Sequence, residues 1–498
     1  MRTRSATLLL ALLPLPLAAC DSAPPRAAAQ DARADELFAL HCSACHGARG
    51  DGDGAALAWL FPPPRDFTQG RFRIVSGPGG PSRDDLVGVL RRGLPGSAMP
   101  SFAWMPEGDL ERLAEHVRAL AVEGLTARAL AEAELAGEPL ARADARREAE
   151  RRLAPGTPVH APAEVPVDAD LLERGARVYA DRCAACHGDD GRAEDDTPQW
   201  TDEGDFGWAR DFTAGVLKGG ATREALARRV LCGMPGTTMP AHAFADERDL
   251  QALLAHLATL IPGDADQRLV QRRQRIVPGR AEDWSDARPT HVVLAPMQWS
   301  PERVLELSVR ARRTAYRLAL RLEWDDPRRD VGAASVDAPV DAVAVAFSAQ
   351  PEPPLMGMGA HGHALDLWHW RANLWIDKAG VLDLLDSPPH GQPDLRGEAP
   401  RLDAAPRYLP ARPADAPTDE LRSLLADGEA PVALGKVDLT AAARWEDGRW
   451  RVDLDGPLPD AWGRAGKVQL AFAVWNASPP GSLATKSITI WHELELGR

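Results

Sequence analysis

Apolar and polar positions divide the chain into a helical part and a part rich in strands. In the first part, apolar residues recur at spacings of three and four, which is typical of amphipathic helices. From about Trp284 onward, apolar and polar residues alternate, which indicates strands that bury one side. We therefore predict a multidomain α + β chain in which all-α domains precede an antiparallel β-sandwich over residues 284–498.

Helical spacing is clearest in two segments that each follow a glycine- and proline-rich loop. The first comprises Leu110, Leu113, Val117 and Leu120, and the second comprises Leu250, Leu253, Leu254, Leu257 and Leu260. Strand alternation is clearest over residues 316–324, 343–347, 468–474 and 488–496. Residues 386–436 contain many prolines and predict a long loop, since proline cannot donate a hydrogen bond to a neighbouring strand.

The helical part contains an internal repeat. A CysXXCysHis motif occupies residues 42–46 and again residues 183–187. Other matching pairs are Arg-Asp-Phe-Thr at 65–68 and 210–213, and a loop ending in Met-Pro at 93–100 and 233–240. A short helical stretch precedes each motif. The order helix, motif, methionine loop and closing helix therefore occurs twice.

Each motif has the chemistry of a covalent haem site. Two thiols two residues apart can form thioethers with both vinyl groups of one porphyrin, and the following histidine then lies under the iron. A single motif could also bind zinc, but two copies in the same local frame favour haem. We predict two covalent c-type haems. The attachment residues are Cys42, Cys45, Cys183 and Cys186, and the proximal iron ligands are His46 and His187.

The methionine loops predict the distal ligands. Met99 follows His46 by 53 residues, and Met239 follows His187 by 52. A thioether suits haem iron and raises its reduction potential, and the flanking proline and glycine favour a rigid loop. A buried core methionine is the alternative. Met105 and Met234 lie nearby, but neither recurs in the repeat.

On these motifs, residues 31–123 and 168–262 resemble the class I cytochrome c fold. In that family an aromatic residue often packs where the terminal helices cross, and the matching positions here are His116 and His256. Each could ligate iron, but we interpret both as packing residues. The repeated Arg65 and Arg210 could pair with haem propionates, because a guanidinium suits carboxylates, or could lie at the surface.

The C-terminal part resembles the haem-binding domain of ethylbenzene dehydrogenase gamma subunits and their relatives in dimethyl-sulfide, selenate and chlorate systems. The resemblance rests on residues 343–347, 354–359, 367–370, and 472–475 with 485–491. It implies one b-type haem held between a methionine and a lysine. The lysine is Lys486, and the methionine is Met358, with Met356 as the alternative.

A lysine ligand must lose its proton, which burial favours by lowering its pKa. Lys486 begins an apolar strand, although an ordinary surface lysine could also lie at a strand end. His361, His363 and His369 lie near the methionine pair and could ligate instead. The domain could also have lost its haem and serve only to dock a partner.

The N-terminus predicts export and lipid anchoring. Arg2 and Arg4 precede a short apolar run, and Leu17-Ala18-Ala19-Cys20 resembles a lipoprotein cleavage box. Residues 1–20 are therefore interpreted as a lipoprotein signal peptide with Cys20 as the lipidated residue. A plain signal peptide is the alternative. Asp21 resembles the signal that keeps some bacterial lipoproteins in the inner membrane, and the resemblance to cytochrome c implies haem attachment outside the cytoplasm, on the bacterial periplasmic side.

Composition and cysteine usage narrow the remaining possibilities. The 498 residues suit about three domains, and the net charge of −14 excludes a basic nucleic-acid binder. Of six cysteines, one is assigned to lipid and four to haem, so Cys232 is interpreted as a buried free thiol. Residues 124–167 are predicted to be a helical and proline-rich linker, and residues 263–283 a second boundary.

These features together predict an exported, membrane-anchored multihaem electron-transfer protein rather than an enzyme. Its partner would be a redox protein, a membrane electron-transport complex or a molybdenum-type oxidoreductase of the kind that the gamma subunits serve. Two alternatives stay open. One is a dihaem enzyme such as a peroxidase, which needs a displaceable distal ligand. The other is a dihaem cytochrome c whose sandwich is a haem-free docking or ligand-binding module.

Overall fold

The structure is a computed structural model. It describes residues 26–57, 60–193, 199–202, 204, 206–263, 270–297, 303–331, 340–351, 353–355, 365–372, 407–410, 412–413, 422–426, 431–436, 439–458, 462, 465–477 and 485–497. The predicted signal peptide with Cys20 lies outside these residues, as do Asp21, Met356, Met358, His361 and His363.

The first helical unit, domain 1, has a core formed by helices that pack around the first CysXXCysHis motif. Helix α3 begins at a capping box between Ser82 and Asp85, which satisfies backbone donors at its first turn. Helix α4 packs against α1, α3 and a 3-10 turn at Phe67–Gln69. The helices are α1 (Arg26–His41), α2 (Ser43–His46), α3 (Arg83–Arg92) and α4 (Glu107–Ala136).

The predicted linker is partly folded onto domain 1. Helix α4 continues through the predicted boundary at residue 123, and α5 (Arg142–Arg152) returns against it. Apolar residues on α4 and α5 form a small core of their own, which explains why the segment does not behave as a free spacer. Beyond α5, Gly156 N donates to Pro78 O and Val159 N donates to Ser76 O.

The second helical unit, domain 2, repeats the plan of domain 1. Aspartate or threonine side chains cap α6, α8 and α9, and α6 packs against α9. The elements are α6 (Ala169–Arg182), α7 (Ala184–His187), a two-stranded ribbon β1 (Gln199–Trp200) and β2 (Phe206–Gly207), α8 (Arg223–Cys232) and α9 (Glu247–Leu260).

The C-terminal unit, the sheet domain, contains two sheets. Sheet I has the order β10-β9-β8-β16-β17-β5, with β18 paired to β16 and β3 paired to β18. Its strands are β3 (Arg275–Ile276), β5 (Ala295–Pro296), β8 (Ala342–Ser348), β9 (Asp366–Arg371), β10 (Arg407–Pro410), β16 (Lys467–Asn476), β17 (Thr485–Ile488) and β18 (His492–Glu495).

Sheet II has the order β11-β14-β15-β7-β6-β4. Its strands are β4 (Thr290–Val293), β6 (Glu306–Arg313), β7 (Arg317–Asp325), β11 (Arg412–Pro413), β14 (Thr440–Glu446) and β15 (Arg449–Pro457). A separate hairpin joins β12 (Arg422–Ala426) and β13 (Pro431–Lys436), within the region predicted to be a loop.

Apolar side chains from both sheets form one buried core. Trp324 of sheet II contacts Trp370 of sheet I edge to face, with ring centroids 6.4 Å apart. Most strand pairs are antiparallel, as predicted, but β10 with β9, β11 with β14 and β18 with β3 are parallel. The domain also begins before Trp284, because β3 and Gln271 already pair with it. Every helix in the described part of the chain is too short or too polar to cross a membrane.

Candidate haem sites

In domain 1, the CysXXCysHis segment is a tight helical turn that follows α1. Cys42 N donates to Phe38 O, and His46 N donates to Cys42 O at 2.9 Å. These helical hydrogen bonds place the two cysteines and the histidine on successive turns. Nδ1 of His46 donates to the carbonyl oxygen of Arg65 at 2.9 Å. Since a carbonyl only accepts, Nδ1 carries the hydrogen, and Nε2 keeps its lone pair for a metal.

Domain 2 reproduces this geometry. Cys183 N donates to Tyr179 O, and His187 N donates to Cys183 O. Nδ1 of His187 donates to the carbonyl oxygen of Arg210 at 2.9 Å. The same tautomer and ring orientation are thus selected at both motifs.

The repeated Arg-Asp-Phe-Thr segment holds each histidine. Phe67 stacks on His46 and Phe212 stacks on His187, in both cases with ring centroids 4.4 Å apart. The aspartate of each segment accepts from the backbone N of the threonine two residues later, which fixes the turn. The segment therefore orients the imidazole through a backbone carbonyl and a phenyl ring, a role that the sequence did not reveal.

Burial governs the protonation of these groups. It raises the pKa of the Cys42 thiol to about 12 and those of Cys45 and Cys183 to about 11. It lowers the pKa of His46 and of His187. Both imidazoles are accordingly neutral at neutral pH, which is the form that ligates a metal.

The methionine loops have the same backbone in both domains. Leu94 N donates to Met99 O at 3.0 Å, and Met234 N donates to Met239 O at 3.1 Å. A hydroxyl two residues before each methionine, on Ser97 or Thr237, accepts weakly from its backbone N. Each loop is closed on itself, so the thioether has a defined position.

Each loop methionine lines the same cavity as the cysteines and histidine of its domain. Cavity 1 is lined by Cys42, Cys45, His46 and Met99, and cavity 2 by Cys183, Cys186, His187 and Met239. Both cavities have largely apolar walls. Two thiols, an imidazole with a free Nε2 and a thioether are the donor set of a c-type haem, so the residues fit that group in both domains.

The two helix-crossing histidines lie outside these cavities. The ring of His116 on α4 lies 4.8 Å from that of Phe38 on α1, and the ring of His256 on α9 lies 5.2 Å from that of Tyr179 on α6. Neither lines cavity 1 or cavity 2. The packing interpretation therefore holds for both.

The two cavities share a wall, which the sequence did not reveal. Pro62, Pro63, Arg73, Lys218 and Met234 line both of them. Lys218 and Met234 belong to domain 2 but reach cavity 1, and Arg73 belongs to domain 1 but reaches cavity 2. Arg73 and Lys218 each lie eight residues after the arginine of the repeated Arg-Asp-Phe-Thr segment, so a basic residue recurs at this position, whereas Met234 has no counterpart in the repeat.

Other cavity residues were also missed. His41 lines cavity 1 directly before the first motif, and Arg182 takes the equivalent place in cavity 2. Trp208 and His242 line cavity 2 as well. Cys232, interpreted as a buried thiol, is a free cysteine of intermediate exposure whose pKa is raised by burial.

In the sheet domain, Lys486 lies on the face of sheet I opposite to the shared core. Its ammonium lies 4.7 Å from the ring centroid of Trp475, its register partner on β16. Burial lowers the pKa of Lys486 to about 8. His369 lies on the same face, is 6% exposed and contacts the Trp475 ring at 5.5 Å. Burial lowers the pKa of His369 to about 3.

Alanines fill most of the remaining positions on this face. Ala342 and Ala344 of β8 and Ala471 and Ala473 of β16 lie in register between β9 and β17. Ala342 and Ala344 are buried beside Lys486 and His369, each with 4% of its surface exposed. The predicted partners Met358 and Met356 lie outside the described residues, so the lysine is the member of that ligand pair that can be placed.

Two helical domains that each bring a CysXXCysHis motif and a methionine loop to one cavity define a haem protein of the cytochrome c class. Residues 32–121 match the family described as cytochrome c. Residues 170–257 match the family described as cytochrome C oxidase, cbb3-type, subunit III. The chain thus contains cytochrome c domains, which implies covalent haem c and an electron-transfer role.

The chain is also similar to a protein of Haloferax mediterranei that bears the provisional name respiratory nitrate reductase haem subunit. The two are 27% identical over 209 residues, which cover 38% of this chain and 56% of that protein. The chain therefore matches only about half the length of this relative.

Two solved structures show weaker likeness. One is a reducing HAO-like protein complex of Kuenenia stuttgartiensis, at 22% identity and a TM-score of 0.39, over 46% of this chain and 96% of that chain. The other is a family 9 carbohydrate-binding module of Caldicellulosiruptor kristjanssonii, at 10% identity and a TM-score of 0.24, over 46% and 95%. At such scores neither defines the fold or the ligand of this chain.

Proposed function

We propose that this chain is an exported, lipid-anchored electron-transfer protein that carries two covalent c-type haems and one b-type haem. The observation that carries the proposal is the meeting of two complete donor sets at two cavities with a common wall. When bound, haem supplies reversible one-electron chemistry at its iron.

The residues of each cytochrome domain have separate tasks in this proposal. Cys42, Cys45, Cys183 and Cys186 attach the porphyrins, His46 and His187 are the proximal ligands, and Met99 and Met239 are the distal ligands. A thioether on the distal side closes the iron to substrates, which favours electron transfer over catalysis. The carbonyls of Arg65 and Arg210 orient the imidazoles and increase their basicity.

Domain 1 is the central unit of the proposed relay. On one side it shares a cavity wall with domain 2. On the other, Phe61 N donates to Met297 O at 2.9 Å, and Met297 N donates to Lys486 O at 2.8 Å. Leu355, one residue before Met356, lines cavity 1. The proposed b-haem region thus adjoins domain 1, which suggests the order domain 2, domain 1, sheet domain.

Two observations support a b-type haem on the outer face of sheet I. Lys486 has a lowered pKa, so the neutral amine that a ligand requires is accessible near neutral pH. The neighbouring positions of β8 and β16 on the same face carry small alanine side chains, which would let a flat group approach the sheet closely. Lys486 with Met358 is the proposed ligand pair, with Met356 as the alternative methionine and His369 as the alternative to the lysine.

The proposed partner is a membrane electron-transport complex or a molybdenum-type oxidoreductase. The resemblance to gamma subunits and the match to a protein named as a nitrate reductase haem subunit support this class of partner. Lipidation at Cys20 would hold the protein on the periplasmic side of the membrane, with Asp21 favouring the inner membrane.

A haem inventory tests the proposal. We would mature the full chain with the c-haem machinery and ample haem, record a pyridine haemochrome spectrum, and extract the same sample with acid acetone. We expect two haems that stay with the protein and one that is extracted. Lys486→Ala should abolish the extracted haem, whereas Lys467→Ala, at a surface ion pair with Glu493, should retain it.

Each other outcome has a definite meaning. Two covalent haems with none extracted would reduce the function to a dihaem cytochrome c with a docking or ligand-binding sheet domain. Fewer than two covalent haems would contradict the proposal for the cytochrome domains. Peroxide turnover by the loaded protein would favour a haem enzyme instead.

A further inference from the structure

Four cationic side chains meet where the two cavities adjoin. Arg73 and Lys218 line both cavities, Arg65 lines cavity 1, and Arg210 lines cavity 2. We call these four residues the cationic junction. Lys218 stands at its centre, because Arg65, Arg73 and Arg210 all lie close enough to act on its charge.

The charge of Lys218 is unfavourable at this place unless an anion lies beside it. Burial holds the pKa of Lys218 well below its usual range, and Arg210, Arg73 and Arg65 lower it further. Burial also lowers the pKa of Arg210 to about 10, with Arg303 contributing. Among the described residues, Lys218 forms no hydrogen bond and no ion pair. Buried like charges are costly unless an opposite charge joins them.

Three aspartates near this interface accept hydrogen bonds within their own loops. Asp66 and Asp211 accept from the backbone of their own turns, and Asp85 accepts from Ser76 and Ser82. Each of these carboxylates fixes a local loop. No carboxylate of the described residues counteracts the lowered pKa of Lys218, so a neutralising group would come from what fills the cavities.

The chemistry of the expected occupants supplies the missing charge. Each haem carries two propionate carboxylates, which are anions that lysine and arginine recognise. We propose that Lys218, with Arg73, forms a carboxylate site shared by the propionates of both c-type haems, so that one cation raises the reduction potentials of both. This inference rests on the proposed function, since it requires a haem in each cavity.

A shared cation has a consequence that two separate sites lack. A positive charge near haem iron disfavours the ferric state, because the ferric iron carries one more positive charge. Low-dielectric surroundings strengthen that effect. Removal of one side chain should therefore lower two potentials that belong to different domains. A residue that only packs between the domains would have no such effect.

A redox titration of Lys218→Met tests the inference. We would titrate the loaded full-length protein spectroelectrochemically and resolve the two c-haem midpoints. Both midpoints should fall relative to the wild-type protein. Lys218→Arg, which retains the charge, should leave both close to wild type. Lys467→Met is the matched control, because it removes a lysine charge at an exposed site of the sheet domain.

The covalent haem count, taken first on the same samples, separates the two hypotheses. If two haems are present and only one midpoint falls, or neither does, the shared site is overturned and the proposed function stays intact. With fewer than two haems in the wild-type protein, the proposed function itself fails. If Lys218→Met does not load haem, Arg73→Gln makes the same test, because Arg73 also lines both cavities. If neither variant binds haem while Lys218→Arg does, haem binding requires a positive charge at this position, which supports the carboxylate site.

Discussion

At the scale of single residues, the hydrogen bond made by Nδ1 of each proximal histidine determines that Nε2 is the nitrogen that can bind iron. Nδ1 donates its hydrogen to a backbone carbonyl, so Nε2 keeps its lone pair for the metal at both His46 and His187. The carbonyls belong to Arg65 and Arg210, whose side chains drew attention in the sequence. Their backbone position in the repeated turn has the more direct effect on the imidazoles.

Met239→Ala tests the distal ligand of domain 2. Because thioether ligation raises the reduction potential, we expect the domain 2 midpoint to fall and the weak ferric absorption of histidine–methionine coordination to be lost from one haem. Met234→Leu is the control, since Leu94 occupies the equivalent position in domain 1. Loss of that absorption in Met234→Leu, with Met239→Ala unaffected, would reassign the ligand to Met234.

Asp326 in the sheet domain provides a prediction about pH. It is 1% exposed, and burial, with the charge of Asp341, raises its pKa from 3.8 to about 7. The pKa of Asp326 is therefore higher in the folded state than in the unfolded state. The contribution of Asp326 to stability is full below pH 3.8 and is lost as the pH rises through 7.

Asp326→Asn should therefore stabilise the sheet domain at pH 8 by about 2 kcal/mol, after allowance for solvent screening, and should have little effect at pH 4. Calorimetric unfolding at both pH values measures this difference. Asp453→Asn is the control, because that carboxylate is paired with Arg321 at 2.7 Å, and its loss should destabilise slightly at pH 8. Equal stabilisation at both pH values would show that burial of the charge is not the cause.

At the scale of elements, the long helix α4 supports the turn that orients His46. Gly124 faces Thr68 so closely that a Cβ at position 124 would lie 2.4 Å from the Cα of Thr68. The closing helix and the 3-10 turn can meet only because this position lacks a side chain. Continuation of α4 to Ala136 then provides the surface on which α5 packs.

Gly124→Ala should destabilise domain 1 by about 1–3 kcal/mol, because the turn or the helix must shift. The matched control is Gly88→Ala in α3, where a Cβ would meet nothing within 4 Å. That change should stabilise by about 1 kcal/mol, the usual gain from alanine over glycine within a helix. Thermal unfolding of the two variants measures both effects. A stabilising Gly124→Ala would contradict the close contact described for this position.

At the scale of the whole molecule, Arg229 joins the two cytochrome domains. Its guanidinium on α8 of domain 2 donates to Arg73 O at 3.0 Å and also to Val75 O in domain 1. The pKa of Arg229 is lowered, because burial outweighs the opposing effect of Asp85. The contact fixes the segment that carries Arg73, and hence the shared wall of the cavities.

Arg229→Ala should loosen this interface by about 2–3 kcal/mol, because hydrogen bonds from a charged donor are lost and two carbonyls lose their partner. Hydrogen–deuterium exchange should rise over residues 72–77. Arg177→Ala is the control, since Arg177 pairs with Glu173 within α6 of domain 2 and should leave that segment protected. Unchanged exchange in Arg229→Ala would show that other contacts hold the domains together.

The sequence by itself determined the parts of the site that lie within a few residues of one another. A covalent haem site needs two thiols and a histidine at fixed local spacing, and the repeat of that spacing identified both motifs and both methionine loops. Alternating strands likewise indicated the sheet domain, because strand periodicity is local. The N-terminal lipid anchor and the b-type haem, with both of its ligands, stay predictions.

Only the tertiary structure decided how these parts are combined. The shared cavity wall joins Arg73 to Lys218 across a gap of 145 residues, and sheet I brings the alanines of β8 and β16 together from distant parts of the chain. Motif spacing gives Arg73 and Lys218 the same offset in the two repeats, but it does not show that they meet, because packing between domains depends on surfaces that exist only after each domain has folded. The charges at this junction gain their effect from that proximity.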